Sequence, residues 1–327
     1  MSDIKLFRLD GGIAYELRGD ASDLEKPLQS LIERNLEPLL GIKFLASEYS
    51  TGKTHAGRID SLGLDENFCP VILEYKRSVG ENVINQGLFY LDWLMDHQAE
   101  FELLVMRNLG VAASETIDWT APRVVCIASD FTKYDAHAVQ QIKRNIELIR
   151  YRLFGDELLL LEQASVGSTA VSKNVSKTVF PSKQICVVPS KNRTPDRSYA
   201  EWLLDLSPML LELLTSLEGY IHSLGDDVER KELKLYLAFK RLKNFTTVVL
   251  QKNRLLVYIH LNPDQIAPLP KNARDVRNSG HWGTGDIEFS LVEAKDLDAA
   301  KPFIQLAYEG RLSLEFPTGN KNPSEMQ

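Results

Sequence analysis

Residues 57–76, GRIDSLGLDENFCPVILEYK, constrain the fold more than any other stretch of the chain. Gly57, Arg58, Ile59 and Asp60 open a short apolar strand pattern, Asp65, Glu66 and Asn67 supply turn chemistry, and residues 71–76 are rich in branched and aromatic side chains. The pattern predicts a hairpin. Successive strand side chains point to opposite faces, so Ile72, Glu74 and Lys76 share one face and Val71, Leu73 and Tyr75 take the other. Pairing with the preceding strand can bring Asp60 opposite Glu74 and Lys76. Two carboxylates beside a lysine are the ingredients for a hard divalent cation, a water oriented on it, and a positive charge that positions or polarises that water.

At these residues the chain resembles a known superfamily. Asp60 followed about a dozen residues later by Glu74-Tyr75-Lys76 looks like the PD-(D/E)XK nuclease signature, with Asp60 as the first acid and Glu74-x-Lys76 as the second half. GRID followed by EYKR is similar to the branch that contains the NucS endonucleases, and Gln86-Gly-Leu-Phe-Tyr90 matches the QxxxY motif of RecB-type members. The resemblance covers about the first half of the chain. It implies an α/β fold with a restriction-endonuclease-like αβββαβ core, catalytic roles for Asp60, Glu74, Lys76 and Gln86, and Mg²⁺ or Mn²⁺ held by Asp60 and Glu74. Gln86, on the flank of the helix after the ExK strand, can hydrogen-bond the attacking water, a phosphate oxygen or a carboxylate. Glu33, Glu48 and Tyr90 are accessory candidates. Their plain alternatives are a solvated helix acid, a polar strand position and a packing aromatic. Arg58 and Arg77 are candidate nucleic-acid contacts. NucS-type enzymes carry a DNA-binding domain before the nuclease domain, whereas only residues 1–22 precede it here, so mismatch specificity does not carry over.

Charge and cysteine usage narrow the setting. With 38 Lys and Arg against 45 Asp and Glu the formal net charge is −7, so contact with nucleic acid has to come from a local patch rather than the overall field. Cys69, Cys126 and Cys186 are far apart and form no CxxC pair, which points to a reducing compartment and excludes a cysteine-based zinc site. The chain start lacks a signal-peptide pattern, and no apolar run approaches the roughly 18 residues of a membrane span. The expectation is a cytoplasmic protein without membrane association.

The rest of the sequence places these motifs in a larger frame. Residues 4–17 read as a small packing hairpin, and residues 24–41 as a helix with Leu28, Ile32, Asn35 and Leu36 on its apolar stripe, a kink at Pro38 and an end at Gly41. A strand at 43–49 leads to Ser50-Thr51-Gly52-Lys53-Thr54, which lacks the first glycine of a phosphate loop. Then follow a helix at 82–98, strands at 101–106 and 123–128, and a helix at 135–154 with Asp135 as its N-cap. The expected boundaries are a nuclease-like domain at 1–163, a basic Ser/Lys/Pro linker at 164–198, a small α+β accessory domain at 199–315 and a disordered tail at 316–327. Lys173 and Lys177 in the linker are further candidates for phosphate contact.

In the accessory region, helices interrupted at Pro208 precede a hairpin at 245–250 and 255–261, a strand at 287–292 and a helix at 297–308. The region looks like an uncharacterised accessory domain seen beside restriction-type and NucS-like nucleases. Lys234, Lys240, Arg241 and Lys243 read as a solvated face, with a basic helix face as the alternative, and the loop at 280–286 holds His281, Trp282 and Asp286. Together these features predict a metal-dependent endonuclease acting on DNA, with a homodimer as a plausible assembly for cutting both strands. The alternative is a catalytically silent nuclease-fold module that binds nucleic acid or a protein.

Overall fold

The computed structural model describes residues 4–21, 25–76, 83–155, 157–164, 197–266 and 268–310. Arg77, Lys173, Lys177, most of the expected linker and the 316–327 tail lie outside the described residues. The chain begins with a hairpin of β1 (Leu6–Asp10) and β2 (Ile13–Leu17), followed by α1 (Glu25–Arg34) and α2 (Leu36–Leu40). It continues through β3 (Ile42–Ser50), α3 (Gly52–His55), β4 (Arg58–Asp65), β5 (Pro70–Lys76), α4 (Val83–Asp96), α5 (Gln98–Leu109) and α6 (Val111–Glu115). The first half closes with β6 (Arg123–Ala128), α7 (Lys133–Gln141), β7 (Asn145–Phe154) and β8 (Leu158–Gln163).

Strands β3 to β8 form one six-stranded sheet in sequence order, antiparallel across β3–β4–β5, parallel across β5–β6–β7, and antiparallel again at β7–β8. Helix α1, strands β3–β5, helix α4 and strand β6 reproduce the expected αβββαβ order, so the restriction-endonuclease-like α/β class holds. Strand β5 is buried on both faces, as a central strand beside a parallel neighbour must be. Val71, Leu73 and Tyr75 pack against Leu28, Ile32, Leu36 and Leu40 of α1 and α2. Ile72 faces the opposite layer, where Tyr90, Leu91, Trp93 and Leu94 of α4 meet Phe101 and Val105 of α5. Gly87 lets α4 come that close, since a Cβ there would sit 2.4 Å from Val124 Cγ1.

The second half contributes α8 (Tyr199–Leu204), α9 (Pro208–Ser223), β9 (Glu229–Glu232), β10 (Leu237–Lys240), β11 (Asn244–Gln251), β12 (Arg254–Ile259), β13 (Ala273–Asp275), β14 (Ile287–Leu291) and α10 (Ala294–Glu309). Its strands form an antiparallel sheet in the order β13-β14-β12-β11-β10-β9. One face is covered by α9 and α10. The other packs Leu233, Tyr236, Ala238, Val249, Leu256 and Tyr258 against Cys69, in the β4–β5 turn, and Ala121, just before β6. No helix among the described residues is long and apolar enough to cross a membrane.

Several sequence expectations need correction. Residues 101–106 belong to helix α5, because Phe101, Leu104 and Val105 recur at helical spacing while the residues between are exposed. Residues 135–154 are not one helix. After α7 the chain turns into β7, where Ile146 and Leu148 face one layer and Ile149 and Tyr151 the other. The α7 N-cap is Thr132, and Asp135 completes its capping box from the third helical position. The expected first helix breaks at Asn35, which is exposed rather than on the apolar stripe. Pro38 then lies in the first turn of α2, where its missing N–H has no helical partner to lose. The 4–17 hairpin forms but does not pack, for Phe7, Leu9, Ile13 and Tyr15 are all at least half exposed. Lys240, Arg241 and Lys243 lie on β10 and the turn after it, not on a helix, and Lys240 is 3% exposed.

That buried lysine belongs to an ion cluster between the sheets. Lys240 Nζ donates to Glu147 Oε1 at 2.6 Å, and Arg123 donates to Glu147 Oε2 at 2.7 Å and Asp65 Oδ2 at 3.1 Å. Burial alone would push the Glu147 carboxyl up, but the Arg123 and Lys240 charges outweigh it and hold the carboxyl well below the usual range. Beside it, Tyr236 and Asn244 both donate to Asn67 Oδ1, at 2.9 and 2.7 Å. Breaking a buried ion pair from one side leaves an uncompensated charge. Arg123→Met should therefore lower unfolding free energy by about 3 kcal/mol or more in urea titrations. Arg277→Met, at a solvent-exposed pair with Asp264 and Asp275, should cause a clearly smaller loss.

Candidate functional site

The β4–β5 hairpin carries the acidic pair. The register aligns Ser61 with Leu73, so one step further Asp60 stands opposite Glu74. The two are tied crosswise through backbone: Tyr75 N donates to Asp60 Oδ2 at 3.0 Å, and Asp60 N to Glu74 Oε1 at 3.4 Å. Glu74 is fully buried, and its second oxygen, Oε2, has no hydrogen-bond partner. Burial is the main reason its carboxyl is pushed up to about 9, with the neighbouring Asp60 charge adding to it. Asp60 also shifts upward by burial, against the opposing pull of the Tyr75 amide and the Lys76 charge.

Beside Asp60 opens a cleft of about 680 Å³, lined among others by Glu25, Arg58, Asp60, Lys76, Gln86 and Tyr90, with Glu74 buried behind its lining. Lys76 is one pleat beyond Glu74 on the same face, its side chain 17% exposed and its Nζ 3.9 Å from Glu25. Helix α4 brings Gln86 and Tyr90 one turn apart to the rim, with Gln86 Nε2 3.4 Å from the Tyr90 hydroxyl. That hydroxyl also accepts from Arg58 N at 3.2 Å and so clamps the start of β4. Gly57 makes the clamp possible: a Cβ there would lie 2.6 Å from the Tyr90 ring. Tyr90 is thereby a largely buried residue on the cleft's lining whose hydroxyl positions the start of β4.

The two accessory acids are held by contacts of their own. Glu33 accepts from Ser61 Oγ at 2.6 Å and Gln29 Nε2 at 2.9 Å, on the α1 side of the sheet, and does not line the cleft. Glu48 has both oxygens engaged at 2.5 Å, by Lys26 Nζ and Arg58 Nε, and the Lys26 hydrogen bond is the main cause of its lowered pKa. Sequence reasoning missed Glu25, Lys26 and Gln29, all in the first turns of α1. Gln29 Nε2 also donates to the Asp60 carbonyl at 2.8 Å. The available signal was the cluster of polar residues flanking Pro27 at the start of a helix with a clear apolar stripe. In the second sheet, His281 stacks on Tyr258 at 4.5 Å, and Trp282 is 49% exposed; neither lines the cleft.

The donor set is oxygen-only and hard, which suits Mg²⁺ or Mn²⁺. An orphaned, buried carboxylate oxygen whose charged form is disfavoured fits a cation that would complete it. The described residues offer a carboxylate pair here and no group of three or more His, Cys, Asp or Glu arranged to hold a metal.

Comparison with known proteins adds context. Residues 201–310 match a family described as "Domain of unknown function (DUF5655)". An uncharacterized protein of Haemophilus influenzae is 28% identical over 312 residues, spanning 93% of this chain and 99% of that protein. Among solved structures, a repair endonuclease from Pyrococcus abyssi matches at 19% identity and a TM-score of 0.26, covering 41% of this chain and 50% of that one. EndoMS in its apo form matches at 16% identity and a TM-score of 0.24, over 42% and 49%. The chain thus spans about half the length of these endonucleases.

The Glu74 environment predicts a measurable instability. Between pH 4.5 and about 9 the folded chain keeps a proton on Glu74 that the unfolded chain releases, so this group lowers stability progressively as pH rises through that window. Glu74→Gln does not titrate. In metal-free buffer it should raise the melting temperature, by an increment that grows from pH 5 to pH 8 and corresponds to on the order of 1–3 kcal/mol at the upper end.

Proposed function

We propose that the protein is a metal-dependent endonuclease that hydrolyses DNA phosphodiester bonds. The observation that carries this reading is the buried Glu74 carboxylate, with Oε2 unpartnered, held opposite an Asp60 that lines an open cleft together with Lys76 and Gln86. A carboxylate kept this way weakens the fold, and apolar or amide replacements would strengthen it. Such a cost is typical of groups retained for chemistry.

Asp60 and Glu74 are the residues that would hold Mg²⁺ or Mn²⁺. Such a cation supplies charge neutralisation at a phosphate and lowers the pKa of a water. Within the chain, Asp60 is fixed by the Tyr75 amide and Glu74 by the Asp60 amide, so neither carboxylate has to reorganise. Lys76 orients the attacking water and offsets negative charge as the phosphate becomes pentacoordinate. Gln86, tethered to the Tyr90 hydroxyl, contributes an amide to orient the same water or a phosphate oxygen. The repair endonucleases with partial fold likeness fit this reading without deciding it. The division into a nuclease-like unit at 1–163, a basic linker at 164–198 and an α+β accessory unit at 199–315 belongs to the same proposal.

The test is cleavage of labelled single-stranded, duplex, mismatched and forked DNA by wild type, Asp60→Ala and Lys76→Ala in Mg²⁺, Mn²⁺ or EDTA. Wild type should cut at least one substrate in Mg²⁺ or Mn²⁺ and none in EDTA, and each variant should lose about 10²-fold or more in rate while remaining folded. Equal rates in Asp60→Ala would remove this assignment. DNA binding without metal-dependent cutting would replace it with a silent binding module.

A further inference from the structure

Two basic side chains, one of them the cleft-lining Arg58, end on a single carboxylate. Lys26, in the first turn of α1, and Arg58, the first residue of β4, are 65% and 69% exposed, while Glu48 beneath them is 25% exposed. Each cation takes a different oxygen of Glu48, both at 2.5 Å. Glu48 reaches them from a left-handed backbone, with φ at 53° in the middle of strand β3. The pairing around it does not require that conformation, since Ser47 aligns with Ser61 and Tyr49 with Ile59, and the register shift in this strand lies earlier, between Phe44 and Ala46. A residue with a Cβ is disfavoured in that region without some compensating contact, and the two ion pairs supply it.

A carboxylate bridging an ammonium and a guanidinium reproduces what one phosphodiester would do there, because both present two oxygens sharing one negative charge. We propose that Lys26 and Arg58 form a binding site for a backbone phosphate of the nucleic-acid strand entering the cleft, and that Glu48 is an internal stand-in which that phosphate displaces. This rests on the nuclease reading above. Arg58 also lines the cleft beside Asp60, so a phosphate held there is adjacent to the acidic pair. Before a strand arrives, Glu48 masks two of the few cations at the site in an otherwise acidic protein, which keeps small anions from occupying it. A polyanion supplies further contacts and completes the exchange.

The experiment measures anisotropy of a fluorescein-labelled duplex DNA in Ca²⁺, in place of the catalytic metal, across a salt series. Glu48→Gln removes the competing charge and should tighten binding about three- to tenfold at low salt, with a steeper salt dependence. Glu48→Asn, whose residue type accepts a left-handed backbone more readily, should do the same and guards against misfolding of the first variant. Lys26→Gln and Arg58→Gln should each weaken binding, and the gain from Glu48→Gln should vanish when Lys26 and Arg58 are both replaced. Unchanged or weaker binding in both Glu48 variants overturns the proposal, as does a gain that survives loss of both cations or the absence of DNA binding throughout. Cleavage in Mg²⁺ is scored separately on the same proteins. A cutting enzyme whose Glu48 variants bind no tighter refutes the stand-in and leaves the nuclease, whereas tighter binding without cutting by any protein keeps the phosphate site and refutes the nuclease.

Discussion

Everything distinctive about this chain follows from placing two carboxylates on adjacent strands where water cannot reach one of them. Asp60 and Glu74 repel each other when both are charged, and burial adds to the penalty on Glu74. Backbone hydrogen bonds fix them all the same, because the amides of Tyr75 and Asp60 point across the hairpin into the opposing side chains. The repulsion therefore cannot relax by rotation of either side chain alone. It can relax by taking up a proton, or by taking up a cation.

Such a hairpin has to be rigid, and the structure anchors it at both ends. At the open end, the Tyr90 hydroxyl receives Arg58 N while Thr51 exchanges hydrogen bonds with Gly57, so the entry to β4 is closed before Asp60 is reached. At the turn, Asp65 accepts from the amides of Asn67 and Cys69 and from Arg123, and Asn67 in turn accepts from Tyr236 and Asn244 of the second sheet. The second sheet therefore grips the hairpin at the end opposite the acidic pair. It helps hold the geometry of the site without contributing a side chain to it.

The hairpin was legible in the sequence because alternation of apolar and charged residues at period two is a local signal, and turn residues separated its strands cleanly. The same rule failed at 101–106, where apolar residues in an amphipathic helix mimic a short buried strand, and at 145–154, where a strand flanked by parallel and antiparallel neighbours is buried on both faces and loses its alternation. Within the site, Asp60, Lys76 and Gln86 line the cleft and Glu74 lies buried opposite Asp60, because strand register and the placement of α4 set their positions. Glu33 and Glu48 were not placeable from sequence, since their side chains are directed by contacts to Ser61, Lys26 and Arg58 on other elements of the fold. Lys240 shows the limit most clearly. A lysine among lysines reads as solvated surface, and only the partner Glu147, from the other sheet, makes it an interior residue.

The arrangement of charge around the cleft also explains how an acidic protein could handle a polyanion. Its overall field does not favour one, so attraction has to be local. The nearby cations are already spoken for, Lys26 and Arg58 by Glu48, and Lys76 within reach of Glu25. Surface pairs of this kind contribute little to stability, which makes them cheap to exchange for a phosphate. The buried pairs between the sheets are of the opposite kind, because separating them leaves charge without solvent. On the proposed reading the molecule uses ion pairs in two ways, fixed where they hold the hairpin and exchangeable where a strand would enter.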